Sequence, residues 1–245
     1  MPHHEENPNF SAPAETHDFA ALLFDMDGTI IDSTDAIVKY WHALGREIGV
    51  PGEQILETSH GRRTIDVLGL LAPQKANWDF VCKAEGQVPI QYGKDAVEVP
   101  GSRSLLEKLE AAGAPWAIVT SGTRPLVTGW LDVMKLAHPQ YLVTAEEVKN
   151  GAKRLGLNDG SDAEASSGKK IPPSDVLVLE DAPAGVRAGK AAGYRVVALA
   201  ITHAIEKLRE AGADWIVEDM RSVTLNQYDQ KSGKTSIEIR NALIA

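Results

Sequence analysis

Two carboxylates separated by one residue, Asp25 and Asp27, follow an apolar run in the stretch ALLFDMDGT. In an extended chain, residues i and i+2 project to the same face, so the two acids converge at the end of a strand. Like charges that close repel, and one group stays protonated unless a cation lies between them. A hard cation with oxygen ligands, Mg²⁺ foremost, removes the conflict. The pair then reads as a metal and catalytic site. The alternative is a plain turn, because Asp-Gly is a common turn dipeptide and Thr29 or Asp32 can cap a helix.

Two further polar groupings close apolar runs in the same way. AIVTSGT at 117–123 ends in hydroxyls and a glycine, and VLVLEDAPAG at 176–185 ends in the adjacent acids Glu180 and Asp181 before opening a helix. Each alone is weak, since TSG can be a capping turn and an acid pair commonly sits at a helix N-terminus. Three such endings become a site if their strands share one sheet, because ligands of open α/β sheets bind at the carboxyl ends of the strands.

The elements that would position them alternate. Strand-like runs lie at 20–24, 116–120, 141–143, 176–179, 195–200 and 215–217, and several are apolar on both faces, as a covered parallel sheet requires. Helical patterns such as SRSLLEKLEAAG and PAGVRAGKAAG lie between them and end in glycines suited to C-caps. The pattern predicts a doubly wound, Rossmann-like α/β core. It is interrupted at 34–98, where 35–48, 62–71 and 77–87 read as amphipathic helices and no strand is evident. This predicts a helical insert after the first strand, closed by the VPG turn at 99–101, with the core formed by 19–33 and 99–245. Residues 1–18, rich in Pro, Asn and acids, read as a disordered leader, and 158–175 as a solvated loop. SVTLNQYD and KTSIEIRN flank a Ser-Gly turn and predict a C-terminal β-hairpin over 223–240 at a sheet edge.

Composition narrows the function classes. The chain has 245 residues and a formal net charge of −9, from 34 acids against 25 bases. Such a field repels nucleic acid and anionic membranes, so neither is expected as a partner. No uncharged apolar run approaches the ~18 residues that span a bilayer, and the N-terminus lacks the basic start and apolar core of a secretory signal. Cys82 is the single cysteine, so no intramolecular disulfide forms, which suits a reducing cytoplasm. A monomer is the default expectation.

FDMDGT, VTSGT and VLEDAPAG, in this order and context, resemble the haloacid dehalogenase superfamily of phosphohydrolases over about residues 19–225. The insert is similar to the cap of its first subclass. At finer grain, SHGRRT (59–64), EVPG (98–101), TSGTR (120–124) and EDAPAGVRAGKAAG (180–193) resemble fungal glycerol-phosphate phosphatases and 2-deoxyglucose-6-phosphate phosphatases. The resemblance implies that Asp25 attacks phosphorus to form an aspartyl-phosphate and that Asp27 protonates the leaving alcohol and then activates water. It implies that Asp25, the backbone carbonyl of Asp27, and Asp181 hold Mg²⁺, with Glu180 a ligand directly or through water. It implies that Thr120 and the amides of Ser121 and Gly122 hold phosphoryl oxygens, and that His60, Arg62 and Arg63 face the leaving group from the cap. The second aspartate, Asp27, favours an alkoxide leaving group, since a halide needs no proton.

One part departs from the family pattern. The resemblance implies a lysine after the third strand, usually Gly-Lys-Pro, but this chain reads LVTAEEVKNGAKRLGLN at 142–158 and lacks a stretch of roughly ten residues there. Lys149 and Lys153 are the nearby substitutes. If that ammonium contributes ~3 kcal/mol, its loss slows turnover on the order of a hundredfold. The expected function is therefore a Mg²⁺-dependent phosphatase of a small polyol or sugar phosphate. A sugar phosphomutase and a catalytically weak metal- and phosphate-binding regulatory homologue stand as alternatives.

Overall fold

The computed structural model describes residues 8–59, 62–148 and 171–244. The chain enters through β1 (Glu15–Phe19) and passes almost directly into β2 (Ala21–Phe24). It then leaves the core through β3 (Ile31–Asp32) and forms five helices: α1 (Thr34–Ile48), α2 (Gly52–Ser59), α3 (Thr64–Leu71), α4 (Trp78–Gly86) and α5 (Val88–Tyr92). It returns through β4 (Val97–Glu98), which pairs antiparallel with β3, Ile31 opposite Glu98 and Asp32 opposite Val97. The outgoing and returning linkers of the helical segment are thus pinned side by side. Two residues per strand give no periodicity to read, so this small sheet is invisible in the sequence.

The remaining chain alternates helix and strand: α6 (Ser102–Ala112), β5 (Trp116–Val119), α7 (Arg124–Met134), β6 (Tyr141–Val143), β7 (Val176–Glu180), α8 (Pro183–Ala191), β8 (Arg195–Leu199), α9 (Ile205–Glu210) and β9 (Trp215–Val217). Six strands form one parallel sheet in the order β6-β5-β2-β7-β8-β9. Every residue of β5 and β7 is buried, so helices cover both faces. Two apolar layers result. One packs Leu22, Phe24, Ile118, Trp130 and Leu177, and the other packs Leu23, Val119, Val178 and Val196. The alternation of these residues between layers follows from the period-2 side-chain direction of strands. The doubly wound α/β reading is correct, and the six expected strands are the six observed.

Strand order reverses at β2, which has β5 on one side and β7 on the other. That is the topological switch point where open α/β sheets leave a crevice. The three polar groupings of the sequence follow the strands at this point, at the ends of β2, β5 and β7.

Two expectations need correction. The leader is not free of structure: Glu15–Phe19 is a strand, Phe10 bridges Leu243, and the Ala12 amide donates to the Ala242 carbonyl at 3.0 Å. Residues 1–7 of the leader lie outside the described residues. The hairpin, β10 (Val223–Asp229) and β11 (Lys234–Ile239), does not extend the main sheet; it forms a separate antiparallel sheet in the order β1-β11-β10. The polar strand ETHDF carries little intrinsic signal, and its backbone groups are satisfied by β11, more than 200 residues away in sequence, from Glu15–Ile239 to Phe19–Thr235. Of the expected loop at 158–175, residues 158–170 lie outside the described residues, and Pro173–Asp175 form a 3₁₀ turn.

Phe19 joins the two sheets and is 2% exposed. Phe19→Ala is expected to cost about 3–5 kcal/mol, measured as a lower urea midpoint with little change in slope. A change below ~1 kcal/mol would show that the leader strand carries no core.

Candidate active site

Asp25 continues the register of β2, its amide donating to the Leu179 carbonyl at 3.0 Å. Beyond it the chain reverses sharply. The Met26 carbonyl accepts the amides of Ile30 (2.9 Å) and Ile31 (3.1 Å), and the Gly28 amide donates to the Ile31 carbonyl at 2.6 Å. Gly28 sits at φ +88°, and a side-chain carbon there would overlap the Asp181 carboxylate. Only glycine meets both conditions, so it brings the turn after β2 against the end of β7. Gly185, in the first turn of α8, has the matching role: a side chain on it would overlap Glu180 Oε2.

Asp25, Glu180 and Asp181 are all buried, and one oxygen of each lies within 4.8 Å of the others. Carboxylates do not gather like this in a buried place without compensation, and an all-oxygen set suits a hard divalent cation. Part of the compensation is protein. Glu180 Oε1 accepts the amides of Asp181 (3.2 Å) and Ala182 (3.0 Å), at the start of α8. Asp181 accepts the hydroxyl of Thr202 and, more weakly, that of Thr29 at 3.5 Å, while His203 Nδ1 stands 3.7 Å from it. Asp27 is set apart from this cluster: its Oδ1 accepts the Ser33 hydroxyl at 2.5 Å. Its other oxygen faces the loop after β5, 3.7 Å from where a side-chain carbon on Gly122 would lie.

That loop is tied down from below. The Thr120 amide continues the β5–β6 register, donating to the Val143 carbonyl at 3.1 Å. The Thr120 hydroxyl accepts the Gly122 amide at 3.1 Å. The Gly122 amide, expected to meet a phosphoryl oxygen, is therefore occupied within its own loop here. A cleft of about 690 Å³ opens above these groups, and Asp25, Asp27, Ser121, Gly122 and Asp181 all line it. The helical segment closes it from the other side with Tyr40, Trp41, Arg62, Thr64, Glu85 and Lys94.

Burial pushes the Glu85 carboxyl above the usual range, with the Asp27 charge adding to the effect against hydrogen bonds from Thr64 and Thr123. Burial likewise pushes the Tyr40 hydroxyl upward, reinforced by Glu85.

The expected cap residues separate. Arg62 lines the cleft. Arg63 does not: its guanidinium pairs with Asp66 at 2.8 Å and donates to the carbonyls of Ala145 (3.4 Å) and Val148 (3.0 Å), straddling the helical segment and the core. A five-donor fork suits that bridging position, and the expectation of a substrate contact for Arg63 is corrected to a tie between segments. His60, Lys149 and Lys153 lie outside the described residues. Ser33, Glu85, Lys94, Thr202 and His203 were not anticipated. Thr202 and His203 follow strand β8 at the same carboxyl edge as the motifs, so that position was the available signal. Glu85 and Lys94 had none, being brought in by the packing of the helical segment.

Comparison with known proteins fits this geometry. Residues 22–199 match the family model described as haloacid dehalogenase-like hydrolase. The chain belongs to that family. Glycerol-1-phosphate phosphohydrolase 1 of Saccharomyces cerevisiae is 37% identical over 235 residues, covering 92% of each chain. 2-Deoxyglucose-6-phosphate phosphatase 1 of the same organism is 31% identical, over 90% of this chain and 95% of that one. Among solved structures, a haloacid dehalogenase-like hydrolase from Bacteroides fragilis superposes with a TM-score of 0.65 at 16% identity, over 82% of this chain and 98% of its own. A hydrolase from Pseudomonas syringae gives 0.60 at 24%, over 82% and 93%. Those two likenesses speak to fold. As a haloacid dehalogenase-like hydrolase, the chain gathers Asp25, Glu180 and Asp181 where its own sheet reverses order.

The overlap at Gly185 yields a test that leaves every carboxylate in place. Gly185→Ala forces Glu180 aside, and Mg²⁺ affinity measured by calorimetry is expected to fall about 10–100-fold, as for other displaced supports of a metal ligand. Unchanged affinity in a folded variant would remove Glu180 from the cation site.

Proposed function

We propose that this chain is a Mg²⁺-dependent phosphomonoester hydrolase that acts on a small polyol or sugar phosphate through a phosphoaspartate at Asp25. The observation that carries the reading is the meeting of Asp25, Glu180 and Asp181 beneath a cleft that Asp27, Ser121 and Gly122 also line. The yeast relatives named above, a glycerol-1-phosphate phosphohydrolase and a 2-deoxyglucose-6-phosphate phosphatase, support the substrate class.

Asp25, Glu180, Asp181 and the backbone carbonyl of Asp27 would hold the ion, whose charge offsets the carboxylates and the substrate phosphate. An Asp25 oxygen bonds to phosphorus as the bond from phosphorus to the leaving oxygen breaks, and Asp27 gives that oxygen a proton. The alcohol leaves. Water then attacks phosphorus, Asp27 takes its proton, and the bond to Asp25 breaks to release inorganic phosphate. The Ser33 hydroxyl holds the Asp27 carboxyl in orientation for both transfers. Thr120 and the Ser121 amide position the phosphoryl oxygens, since this chemistry depends on placement and charge rather than on further covalent steps. The helical segment adds Arg62 and Lys94, the Arg and Lys side chains among the described lining residues. Lys149 and Lys153 remain the sequence-based substitutes for the family lysine, and the reading includes a turnover lowered by that departure.

A panel of polyol and hexose phosphates with Mg²⁺ is expected to give hydrolysis that chelation abolishes. Asp25→Asn is expected to lose activity by several orders of magnitude, as nucleophile removal does; parity with the parent would remove Asp25 from that role. Asp27→Ala should separate substrates by leaving group. Loss on glycerol phosphate is expected at roughly 10²–10⁴-fold, the usual contribution of a positioned acid. On 4-nitrophenyl phosphate, whose leaving group needs no proton, the loss should be clearly smaller. Equal losses in kcat/KM, which reports the step that expels the leaving group, would remove Asp27 as the donor of that proton.

A further inference from the structure

The loop that holds the phosphoryl group is anchored from the helical segment by a side chain to which the reaction assigns no role. Glu85, in the last turn of α4, is 4% exposed, and its Oε2 accepts the backbone amide of Thr123 at 2.8 Å. Thr123 is the N-cap residue of α7, directly after Ser121 and Gly122, and its own side chain makes no capping bond. The next amide of the same helix, that of Arg124, donates to Glu146 at 3.0 Å. Two backbone donors at this helix start are thus met by acids from two places, the helical segment and the turn after β6.

The surrounding packing makes the contact close and directional. A side-chain carbon on Gly86 would lie 3.0 Å from Pro125, and one on Gly129 would lie 2.9 Å from Pro89. Helices α4 and α5 therefore rest on α7 at glycine distances, with little slack between the two segments. Thr64 of α3 and Tyr40 of α1 stand beside the carboxyl, and Asp27 contributes like charge from the core. A buried acid in such surroundings is retained at a cost unless its acceptor oxygen is needed.

We propose that Glu85 is a positioning residue: by accepting the Thr123 amide across the junction, it sets the Thr120–Gly122 loop in its phosphoryl-holding shape when the helical segment is docked. The role rests on the phosphatase reading of the cleft, because it acts through the loop and not on substrate. It requires an acceptor oxygen and no charge, so glutamine suffices in its place. Methionine fills a similar volume but accepts no comparable bond.

The test compares the parent, Glu85→Gln and Glu85→Met in Mg²⁺ buffer, reading kcat/KM on glycerol phosphate, inhibition by inorganic phosphate, and the urea midpoint. Glu85→Met is expected to lose kcat/KM on the order of tenfold or more, as misplaced positioning groups do, with the phosphate inhibition constant rising in parallel. Glu85→Gln is expected to stay within a few-fold of the parent. A lowered urea midpoint with unchanged kcat/KM and phosphate inhibition would make Glu85 merely structural and overturn the proposal. Equal impairment of both variants would overturn the neutral-acceptor account. Should Glu85→Met not fold, amide exchange in the parent decides: the Thr123 amide is expected to be strongly protected, and exchange at the rate of a free amide overturns the contact. A parent inert toward every phosphomonoester would count against the phosphatase reading, while the exchange measurement would still report on the contact.

Discussion

Several carboxylates are forced into one buried place, and much of the local structure follows from making that tolerable. Asp25, Glu180 and Asp181 each approach complete burial, where an isolated ionised acid would be costly by several kcal/mol. The arrangement persists because the neighbouring parallel strands β2 and β7 fix the acids by backbone register, from Ala21–Val176 to Phe24–Leu179. Backbone hydrogen bonds in a covered sheet do not yield to side-chain repulsion. The repulsion is instead relieved locally, by the amides at the start of α8, by Thr202 and by Thr29, and it leaves a cluster that favours a cation. Two glycines complete the constraint, since any larger residue at 28 or 185 would occupy the place of a carboxylate.

The division of labour between core and helical segment is a division of rigidity. Core residues at the site stand within four residues of the strands they follow, so their positions are determined by the sheet. Residues of the helical segment reach the cleft across a junction held by specific ties: the β3–β4 pair, the Arg63 fork on the carbonyls of Ala145 and Val148, and Glu85 on the Thr123 amide. The first tie fixes the linkers. The other two fix the far side, near the start of α7. The cleft between the segments has Tyr40, Trp41 and Arg62 on one wall and the carboxyl end of the sheet on the other.

The C-terminal hairpin shows a different use of distant chain. Alone, a two-stranded hairpin is marginal in water. Here β11 lies between β10 and β1, and Leu243 beyond it donates to the Ile216 carbonyl of β9 at 2.8 Å. The N-terminal strand both completes this small sheet and delivers the chain to β2, so the start of the chain contributes to the platform on which the first aspartate stands.

By itself the sequence determined the parallel core, its six strands and the helical character of 34–98, and it singled out the acids Asp25, Glu180 and Asp181 that the fold brings together. These were legible because each depends on local pattern: apolar runs, helical periodicity, and acids placed directly after strands. Tertiary structure decided what local pattern cannot carry. It made a strand of the polar ETHDF by pairing it with β11, and it drew the hairpin into a separate sheet. It turned Arg63 from the cleft onto backbone carbonyls, kept the Gly122 amide within its own loop, and brought Glu85, Lys94, Thr202 and His203 to the site. In each case the deciding partner lies far away in sequence. A residue's type states which bonds it can form, and only the packed chain supplies the atom that forms them.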